Sequence, residues 1–306
     1  MRKNNLKANK NNKRGNRFLA AALTLTLAFG CALGTTGCGA ADETDSSANN
    51  NPDAKTLKIG LSSTSSKNHF WDEEGNETGY EYEFIKALDD ALPQYKFEIV
   101  TTEFASLFVS LDADVVDAVV GNLRRNDERE EGYIHTYKAY NYTPYIIMVE
   151  ETNTTINGLE DLEGKKLGIS QGSLQSAILT EYIEAHDANI ELVYTKDYTN
   201  DLVAGRIDAF IAPEFSLDGY NESFEDIKFK TVGDAIESES GNSADSNAYI
   251  YLAKGNEQLR DEFSEAIDEL RKSGELSELI SKFYDVDYVS QIDTAKEDEL
   301  KEALGK

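Results

Sequence analysis

The chain has 306 residues, 40% of them hydrophobic, which is enough for one large domain or for two lobes with separate cores. It carries 57 acidic and 30 basic residues, a formal net charge of -27, and its first 37 residues contain no acidic side chain. The remaining chain is therefore strongly acidic and repels phosphate backbones, so nucleic-acid binding is not expected.

Cysteine and histidine are too sparse for metal or thiol chemistry. The two cysteines, Cys31 and Cys38, both lie near the N-terminus, so the rest of the chain has neither a disulfide nor a thiol nucleophile. The three histidines, His69, His135 and His186, match no metal-ligand spacing. We therefore predict no metal site and no cofactor.

The N-terminal segment has the pattern of a secretion signal. Residues 1–17 are basic, and residues 18–37 contain no charge and end in small residues. An uncleaved anchor is the alternative, because the uncharged stretch is about long enough to span a bilayer at ~1.5 Å per residue.

The end of this segment, Thr-Thr-Gly-Cys at 35–38, resembles a bacterial lipoprotein processing site, although Thr35 stands where leucine is usual. The resemblance implies a signal peptide at 1–37 and lipid on the thiol of Cys38. Residues 38–55 have the polar composition of a disordered tether. We expect a folded body outside the cell, held to the membrane by a lipid anchor.

From residue 57 onward, strand and helix patterns alternate. Apolar spacing predicts strands at 57–61, 97–100, 115–120, 166–170, 190–194 and 208–212, and helices at 80–92, 104–111, 174–185, 202–206 and 263–270. This alternation indicates an α/β protein with two lobes, each a parallel sheet covered by helices. Two apolar runs, 145–149 and 249–253, would cross between the lobes in opposite directions and form a hinge.

Short motifs spread along the body carry a resemblance to a known family. They are Leu-Lys-Ile-Gly at 57–60, Asp-Glu-Glu-Gly-Asn-Glu-Thr-Gly-Tyr-Glu-Tyr-Glu at 72–83, Phe-Ala-Ser-Leu at 104–107, Val-Asp-Ala-Val-Val-Gly at 116–121, Asp-Glu-Arg at 127–129, Leu-Glu-Gly-Lys-Lys-Leu-Gly at 162–168, Gln-Gly-Ser at 171–173 and Ala-Gly-Arg-Ile-Asp-Ala at 204–209. In order and spacing they resemble the polar amino-acid-binding proteins of ABC importers, a bacterial extracellular solute-binding family.

The resemblance implies a two-lobed, periplasmic-binding-protein-like fold (type II) with two hinge strands and the ligand in the cleft between the lobes. It implies a first lobe at 56–147 and 252–290, a second lobe at 148–251, and a C-terminal tail at 291–306. Ligand binding would close the lobes, and a membrane permease would recognise the closed form. We expect a monomer.

The first lobe supplies most of the implied ligand contacts. Arg129 matches the arginine that binds the ligand α-carboxylate in the family, and a guanidinium is a bidentate fork suited to that group. Gly121 and Asn122 match positions that lend backbone groups to the ligand, and Phe104 matches an aromatic residue that packs against it. The alternatives are that Arg129 is an exposed arginine without a ligand and that Phe104 packs in the core.

In the second lobe, Gly172 and Ser173 lie between a predicted strand and a predicted helix, whose N-terminal amides favour an anion. Capping of the helix is the alternative role of Ser173. Pro213 stands where many members of the family have an aspartate that binds the ligand α-amine. The adjacent Glu214 is therefore the candidate for that role.

Two further departures from the family pattern bear on the ligand. Ser65 stands where an aromatic clamp is usual, which makes Phe70 the candidate aromatic. Arg124 stands where serine or threonine is usual, and a second arginine in the cleft would favour a second negative group on the ligand. Alternatively, Arg124 and Arg125 pair with surface acids. The candidate ligands are an acidic or bulky amino acid, a cystine-like compound with two carboxylates, or another small carboxylate.

The resemblance thus implies a substrate-binding lipoprotein that delivers an amino acid or related small carboxylate to an ABC permease and has no catalytic activity. A sensory solute-binding domain is one alternative, but only a short polar stretch follows residue 288. A dehydratase-like enzyme on the same scaffold is the other. It would need an acid or base in the cleft, for which Glu214 and His69 are the candidates.

Overall fold

A computed structural model describes residues 51–62, 67–170, 173–222, 224–238 and 246–306. The predicted signal peptide, the predicted lipidation site Cys38, Ser65 and Gly172 lie outside the described residues. Among the helices within these ranges, none combines the length and the apolar character that crossing a membrane requires.

The described residues form short strands and helices in alternation. The strands are β1 (Lys55–Ser62), β2 (Phe70–Trp71), β3 (Glu77–Thr78), β4 (Tyr95–Thr102), β5 (Ala118–Val120), β6 (Tyr133–His135), β7 (Asn141–Tyr142), β8 (Tyr145–Glu150), β9 (Lys166–Ile169), β10 (Glu191–Tyr194), β11 (Ala209–Pro213), β12 (Phe229–Val232), β13 (Asn247–Ala248) and β14 (Tyr251–Ala253). The α-helices are α1 (Tyr80–Ala91), α2 (Leu107–Asp112), α3 (Asp127–Gly132), α4 (Leu174–His186), α5 (Tyr198–Val203), α6 (Leu217–Glu222), α7 (Glu257–Lys272), α8 (Glu275–Ile280) and α9 (Thr294–Ala303).

Two five-stranded sheets form the centres of the two lobes, with strand orders β4-β1-β5-β14-β6 and β10-β9-β11-β8-β12. In the first sheet β4, β1 and β5 are parallel, and in the second β10, β9 and β11 are parallel. The other pairings in both sheets are antiparallel. The two-lobed α/β architecture is therefore confirmed, and each sheet predicted to be parallel has a parallel part joined to antiparallel strands.

The mixed sheets follow from the way the chain crosses between the lobes. It crosses at β7 and β13, a short antiparallel pair in which Asn141 faces Ala248 and Tyr142 faces Asn247. After each crossing the chain enters the next sheet directly, as β8 in the second sheet and as β14 in the first. Strand β8 is antiparallel to its neighbour β11, and β14 is antiparallel to its neighbour β5. The apolar runs 145–149 and 249–253 thus lie mainly inside the sheets, and the hinge pair lies just before them.

Helices α1 and α7 cover the first sheet because each presents one apolar face. The buried residues of α1 include Phe84, Ile85 and Leu88, at the spacing of a helix face. The start of α1 requires glycine: Gly79 has φ +121°, and a Cβ there would lie 2.5 Å from the backbone of Asn68. A glycine also follows the end of α7: Gly274 has φ +85°, in the left-handed region.

Several predicted elements begin or end at other residues in the structure, and for two of them the backbone shows why. The strand expected at 115–120 is limited to β5, because the N–H groups of Val115 and Val116 both donate to the carbonyl of Ser110 and close α2 instead of joining a sheet. The helix expected at 202–206 is α5, which starts at Tyr198 and ends at Val203. Gly205, at φ +67°, follows it in the left-handed region.

Candidate functional site

The carboxyl end of β5 brings the first lobe's predicted site residues together. Gly121 follows this strand directly and is buried, and a Cβ there would lie 3.0 Å from Leu107 Cδ1 and 3.4 Å from Ser62 Cβ. A larger residue would push β5 away from α2. Glycine therefore keeps the segment that follows, which contains Asn122, Arg124 and Arg129, close to the first sheet.

Asn122 lies over a buried carboxyl group. Its N–H donates to Glu81 Oε1 at 2.6 Å and to the Tyr140 hydroxyl at 2.8 Å, and that hydroxyl donates to the same Glu81 oxygen at 2.5 Å. Burial raises the pKa of Glu81 to about 7, although both hydrogen bonds oppose this shift. The Asn122 N–H is thus used inside the lobe, whereas the sequence suggested that it faces the ligand.

Arg124 lies at the junction of the two lobes. It is only 1% exposed, and its guanidinium lies 4.6 Å from the ring centroid of Tyr145, the first residue of β8 in the second sheet. Cations and aromatic faces attract each other at this range. Arg124 is therefore not a surface arginine, which was the alternative that the sequence left open.

Arg129 is held by contacts on three sides. It lies in α3, where the Asn126 side chain caps the helix by accepting from the Arg129 N–H at 2.9 Å. Its half-buried guanidinium donates to the Arg124 carbonyl and lies 5.3 Å from the Phe108 ring and 5.9 Å from the Tyr251 ring. These contacts fix the direction of the guanidinium before any ligand binds, which lowers the entropy lost on binding.

The neighbouring Arg125 pairs with an acidic side chain, as the sequence allowed, although this pair is largely buried. Its Nε donates to Glu130 Oε1 at 3.0 Å, and His135 Nε2 lies 2.9 Å from the same oxygen. Burial alone would raise the pKa of Glu130, but the hydrogen bond from His135 and the charges of His135 and Arg125 outweigh it and lower that pKa to about 2. Arg125 and Arg124 therefore have different roles.

The two candidate aromatic residues of the first lobe differ in exposure and contacts. Phe104 is 44% exposed, and a Cβ on Gly121 would lie 3.8 Å from its ring, so it lies beside the site segment and is not a core residue. Phe70 packs edge to face on Phe283 with ring centroids 6.3 Å apart. Packing within the first lobe therefore accounts for the position of Phe70.

In the second lobe, Glu214 lies next to the strand that carries Tyr145. Its N–H donates to the Pro144 carbonyl at 2.9 Å, and the preceding Pro213 is paired with Tyr145 across β11 and β8. Burial raises the pKa of Glu214. Burial also raises the pKa of Tyr142. The charge of Glu214 raises this pKa further, and the charge of Arg124 lowers it. The structure thus brings Arg124 and Glu214 to the same region of the hinge.

Ser173 caps α4, which is the alternative that the sequence allowed. Its Oγ accepts from the Ser176 N–H at 3.2 Å and donates to the Ser170 carbonyl at 2.7 Å. The Ser170 hydroxyl lies 2.6 Å from that of Tyr198. The cap orders the N-terminus of α4, where backbone N–H groups can also receive an anion.

Direct contacts also join the two lobes. Lys67 Nζ lies 2.5 Å from Asp218 Oδ2 on α6, and the rings of Phe215 and Tyr284 pack with centroids 5.9 Å apart. Lys67 also lies 5.4 Å from the Tyr284 ring centroid. The ion pair Lys67–Asp218 and the ring pair Phe215–Tyr284 each join a residue of the second lobe to one of the first, so the lobes touch on the side of Glu214.

The comparisons with known proteins identify the class. Residues 57–286 match the bacterial extracellular solute-binding proteins, family 3. Two L-cystine-binding proteins of Bacillus subtilis are similar: TcyJ is 35% identical over 79% of this chain and 90% of its own length, and TcyK is 34% identical over 82% and 91%. The crystal structure of the extracellular-binding protein ytmK, also from Bacillus subtilis, has a TM-score of 0.68 and 33% identity, and covers 77% of this chain and 100% of its own.

The chain therefore belongs to family 3 of the bacterial extracellular solute-binding proteins. It is a substrate-binding protein of an amino-acid ABC importer and works on the outer side of the cytoplasmic membrane. The family and the function predicted from the sequence are confirmed at this level. Neither the sensory nor the enzyme alternative is favoured, because the matching family consists of solute-binding proteins.

Sequence reasoning missed the residues beneath Asn122, above all Glu81 and Tyr140. A signal for Glu81 was present, because it lies three, four and seven residues before Phe84, Ile85 and Leu88 and so shares their face of α1. A carboxylate within a buried apolar face needs hydrogen-bond donors from elsewhere in the fold. Nothing in the local pattern indicates that Tyr140 and Asn122 supply them.

Proposed function

We propose that the ligand is L-cystine or a close analogue with two carboxylates, bound between the lobes. The observation that carries this proposal is the pair Arg124 and Arg129, joined by the bond from the Arg129 guanidinium to the Arg124 carbonyl. One guanidinium suits one carboxylate, and two separate guanidiniums suit a ligand with two. The similarity to L-cystine-binding proteins supports the same ligand class.

The proposed site is built from both lobes. Arg129 binds the α-carboxylate, Arg124 the second carboxylate and Glu214 an α-amine, while Phe104 packs against the aliphatic part. Gly121 and Asn122 contribute from the first lobe and Ser173 from the second, where the sequence also suggests Gly172. Phe70 packs on Phe283 and supports the first lobe's side of the site. The chain itself performs no catalysis: binding closes the lobes, and the permease receives the ligand.

The ligand proposal is tested by thermal unfolding of the purified full chain with single compounds. We expect L-cystine to raise the unfolding temperature, because a ligand at 1,000 times its Kd stabilises the folded state by about 4 kcal/mol. Cystamine, which has the same disulfide and both amines but no carboxylate, is the matched control and should cause no shift. A shift with cystamine equal to that with L-cystine would contradict the carboxylate roles of Arg124 and Arg129.

We also propose that the protein is a monomeric lipoprotein with a signal peptide at 1–37 and a tether that was predicted at 38–55; the start of β1 at Lys55 supports ending the tether at residue 54. The proposed lobes are 56–147 with 252–290 and 148–251, and the pairing of β7 with β13 supports moving the boundaries a few residues to that pair. The composition of the N-terminal segment supports the lipid anchor.

Replacement of Cys38 by serine is expected to move the protein from the membrane fraction to the soluble fraction, or to block its maturation. The reason is that the serine hydroxyl cannot replace the thiol that carries the lipid. Fractionation of the expressing bacteria with labelled fatty acid measures both effects. Cys31→Ser is the matched control and should leave labelling unchanged; loss of label only in this control would place the anchor at Cys31.

A further inference from the structure

The segment after β5 has an unusual conformation at Asn122. Its φ is +51°, in the left-handed region, which asparagine adopts more readily than most residues with a side chain. Such a conformation persists only where the surroundings hold it. The residues that hold Asn122 are Glu81, Tyr140 and Asn141, and all three belong to the first lobe or to the hinge strand β7.

These residues fix both the backbone and the side chain of Asn122. The Asn122 N–H donates to Glu81 and Tyr140, as described above, and Asn141 Nδ2 donates to Asn122 Oδ1 at 2.7 Å. A carboxamide is planar, with its oxygen and nitrogen on opposite sides, so fixing Oδ1 on Asn141 also fixes the direction of Nδ2. Within the described ranges, Nδ2 is buried and has no hydrogen-bond acceptor.

A buried N–H donor without an acceptor is energetically unfavourable. An acceptor for Asn122 Nδ2 would therefore have to come from outside the first lobe. The proposed ligand carries carboxylate oxygens, which accept hydrogen bonds and which the neighbouring Arg124 and Arg129 would attract. We propose that Glu81 and Tyr140 are positioning residues, which hold Asn122 so that its side-chain amide, rather than its backbone N–H, donates to a ligand oxygen. This inference rests on the proposed function.

The network has little freedom to rearrange when a ligand arrives. Glu81 is 1% exposed, and the Tyr140 ring stacks on that of Phe84 with centroids 4.5 Å apart and planes at 9°. The Tyr80 hydroxyl donates to the Tyr140 carbonyl at 2.5 Å. The conformation of Asn122 is therefore fixed before the ligand binds, so binding does not include the entropy loss of ordering this side chain.

A double-mutant cycle measures whether Glu81 acts through Asn122. Glu81→Met removes the acceptor but keeps the side-chain length, and Asn122→Gly removes the amide but tolerates φ +51°. With L-cystine as the titrated probe at pH 8, we expect Glu81→Met to weaken binding about tenfold in the wild-type background. In the Asn122→Gly background it should change the Kd by less than about twofold, because no amide remains to be positioned.

Rescue and control variants separate positioning from general loss of structure. Glu81→Gln keeps an acceptor oxygen and should bind within about threefold of wild type. Tyr140→Phe removes one hydroxyl and should weaken binding, which keeps the test valid if Glu81→Met fails to fold. Tyr95→Phe breaks a similar bond, from the Tyr95 hydroxyl to Glu262 Oε2 at 2.6 Å, away from the site and should leave the Kd unchanged.

The possible outcomes are distinct. Equal losses from Glu81→Met in the wild-type and Asn122→Gly backgrounds would overturn the positioning role while leaving the proposed function intact. Unchanged affinity in both Glu81→Met and Tyr140→Phe would also overturn it. Failure of the wild-type protein itself to bind L-cystine would overturn the proposed ligand and, with it, this inference.

Discussion

Replacing Arg129 with alanine is expected to weaken L-cystine binding about 100-fold, since truncating one partner of a desolvated charge pair costs about 2–5 kcal/mol. The substitution removes the fork proposed for the α-carboxylate but leaves the cap of α3, which uses the backbone N–H of this residue. The helix should therefore persist. Titration calorimetry of the purified chain with L-cystine measures the loss, and thermal unfolding without ligand reports any change in stability.

Two matched variants sharpen this test. Arg129→Lys keeps the charge but not the planar fork, so we expect an affinity between those of wild type and Arg129→Ala. Arg206→Ala removes an arginine in the second lobe whose Nε donates to Asp201 Oδ1 at 2.5 Å and whose side chain is 59% exposed. It should leave the Kd unchanged. An Arg129→Ala variant that binds as tightly as wild type would remove the carboxylate role of this arginine.

Helices α1 and α7 were predictable because each is long enough to show a complete apolar face and ends at a proline or glycine signal. The bounds of β5 were not predictable, because they depend on which carbonyl accepts hydrogen bonds from the N–H groups of Val115 and Val116. A run of apolar residues carries no information about that choice. The mixed sheets have a similar origin, since strand direction depends on where the chain crosses between the lobes.

The site was partly predictable for a different reason. Arg129 and Gly121 lie within motifs that can be recognised in sequence, so their positions follow from the resemblance. The use of the Asn122 N–H was not predictable, because it depends on Glu81, which lies 41 positions earlier in the chain. The burial of Arg124 likewise depends on Tyr145 in the other lobe. Hydrogen bonds and stacking between distant segments leave no local pattern.

The C-terminal segment shows the limit of sequence patterns most clearly. Residues 291–306 lie beyond the part that matches the family, and the resemblance implied only a C-terminal tail there. The structure contains α9 there, with Glu297 0% exposed. Asp293, which caps α9, exchanges two hydrogen bonds of 2.9 Å with Asn247 in the hinge strand β13. The segment is therefore packed against the first lobe and bonded to the hinge.

Replacing Glu297 with alanine is expected to lower the free energy of unfolding by about 3 kcal/mol, because it leaves two cations and a backbone donor without their buried acceptor. Glu297 pairs with Lys138 Nζ at 2.9 Å and with Arg271, and it accepts from the Ala139 N–H at 2.8 Å. The cation side chains are 13% and 14% exposed, so water replaces little of the lost interaction. Urea unfolding of the full chain measures the change.

The same helix offers a control for this prediction. Glu299 is 69% exposed and lies 3.4 Å from Lys296 Nζ, so Glu299→Ala should cost no more than about 0.5 kcal/mol. Equal, small losses in the two variants would mean that α9 contributes nothing to the stability of the first lobe. A large loss in Glu297→Ala alone would mean that Lys138 and Arg271 hold α9 through this carboxylate. Because Ala139 lies two residues before β7, the same loss would also loosen the hinge strand that contains Asn141.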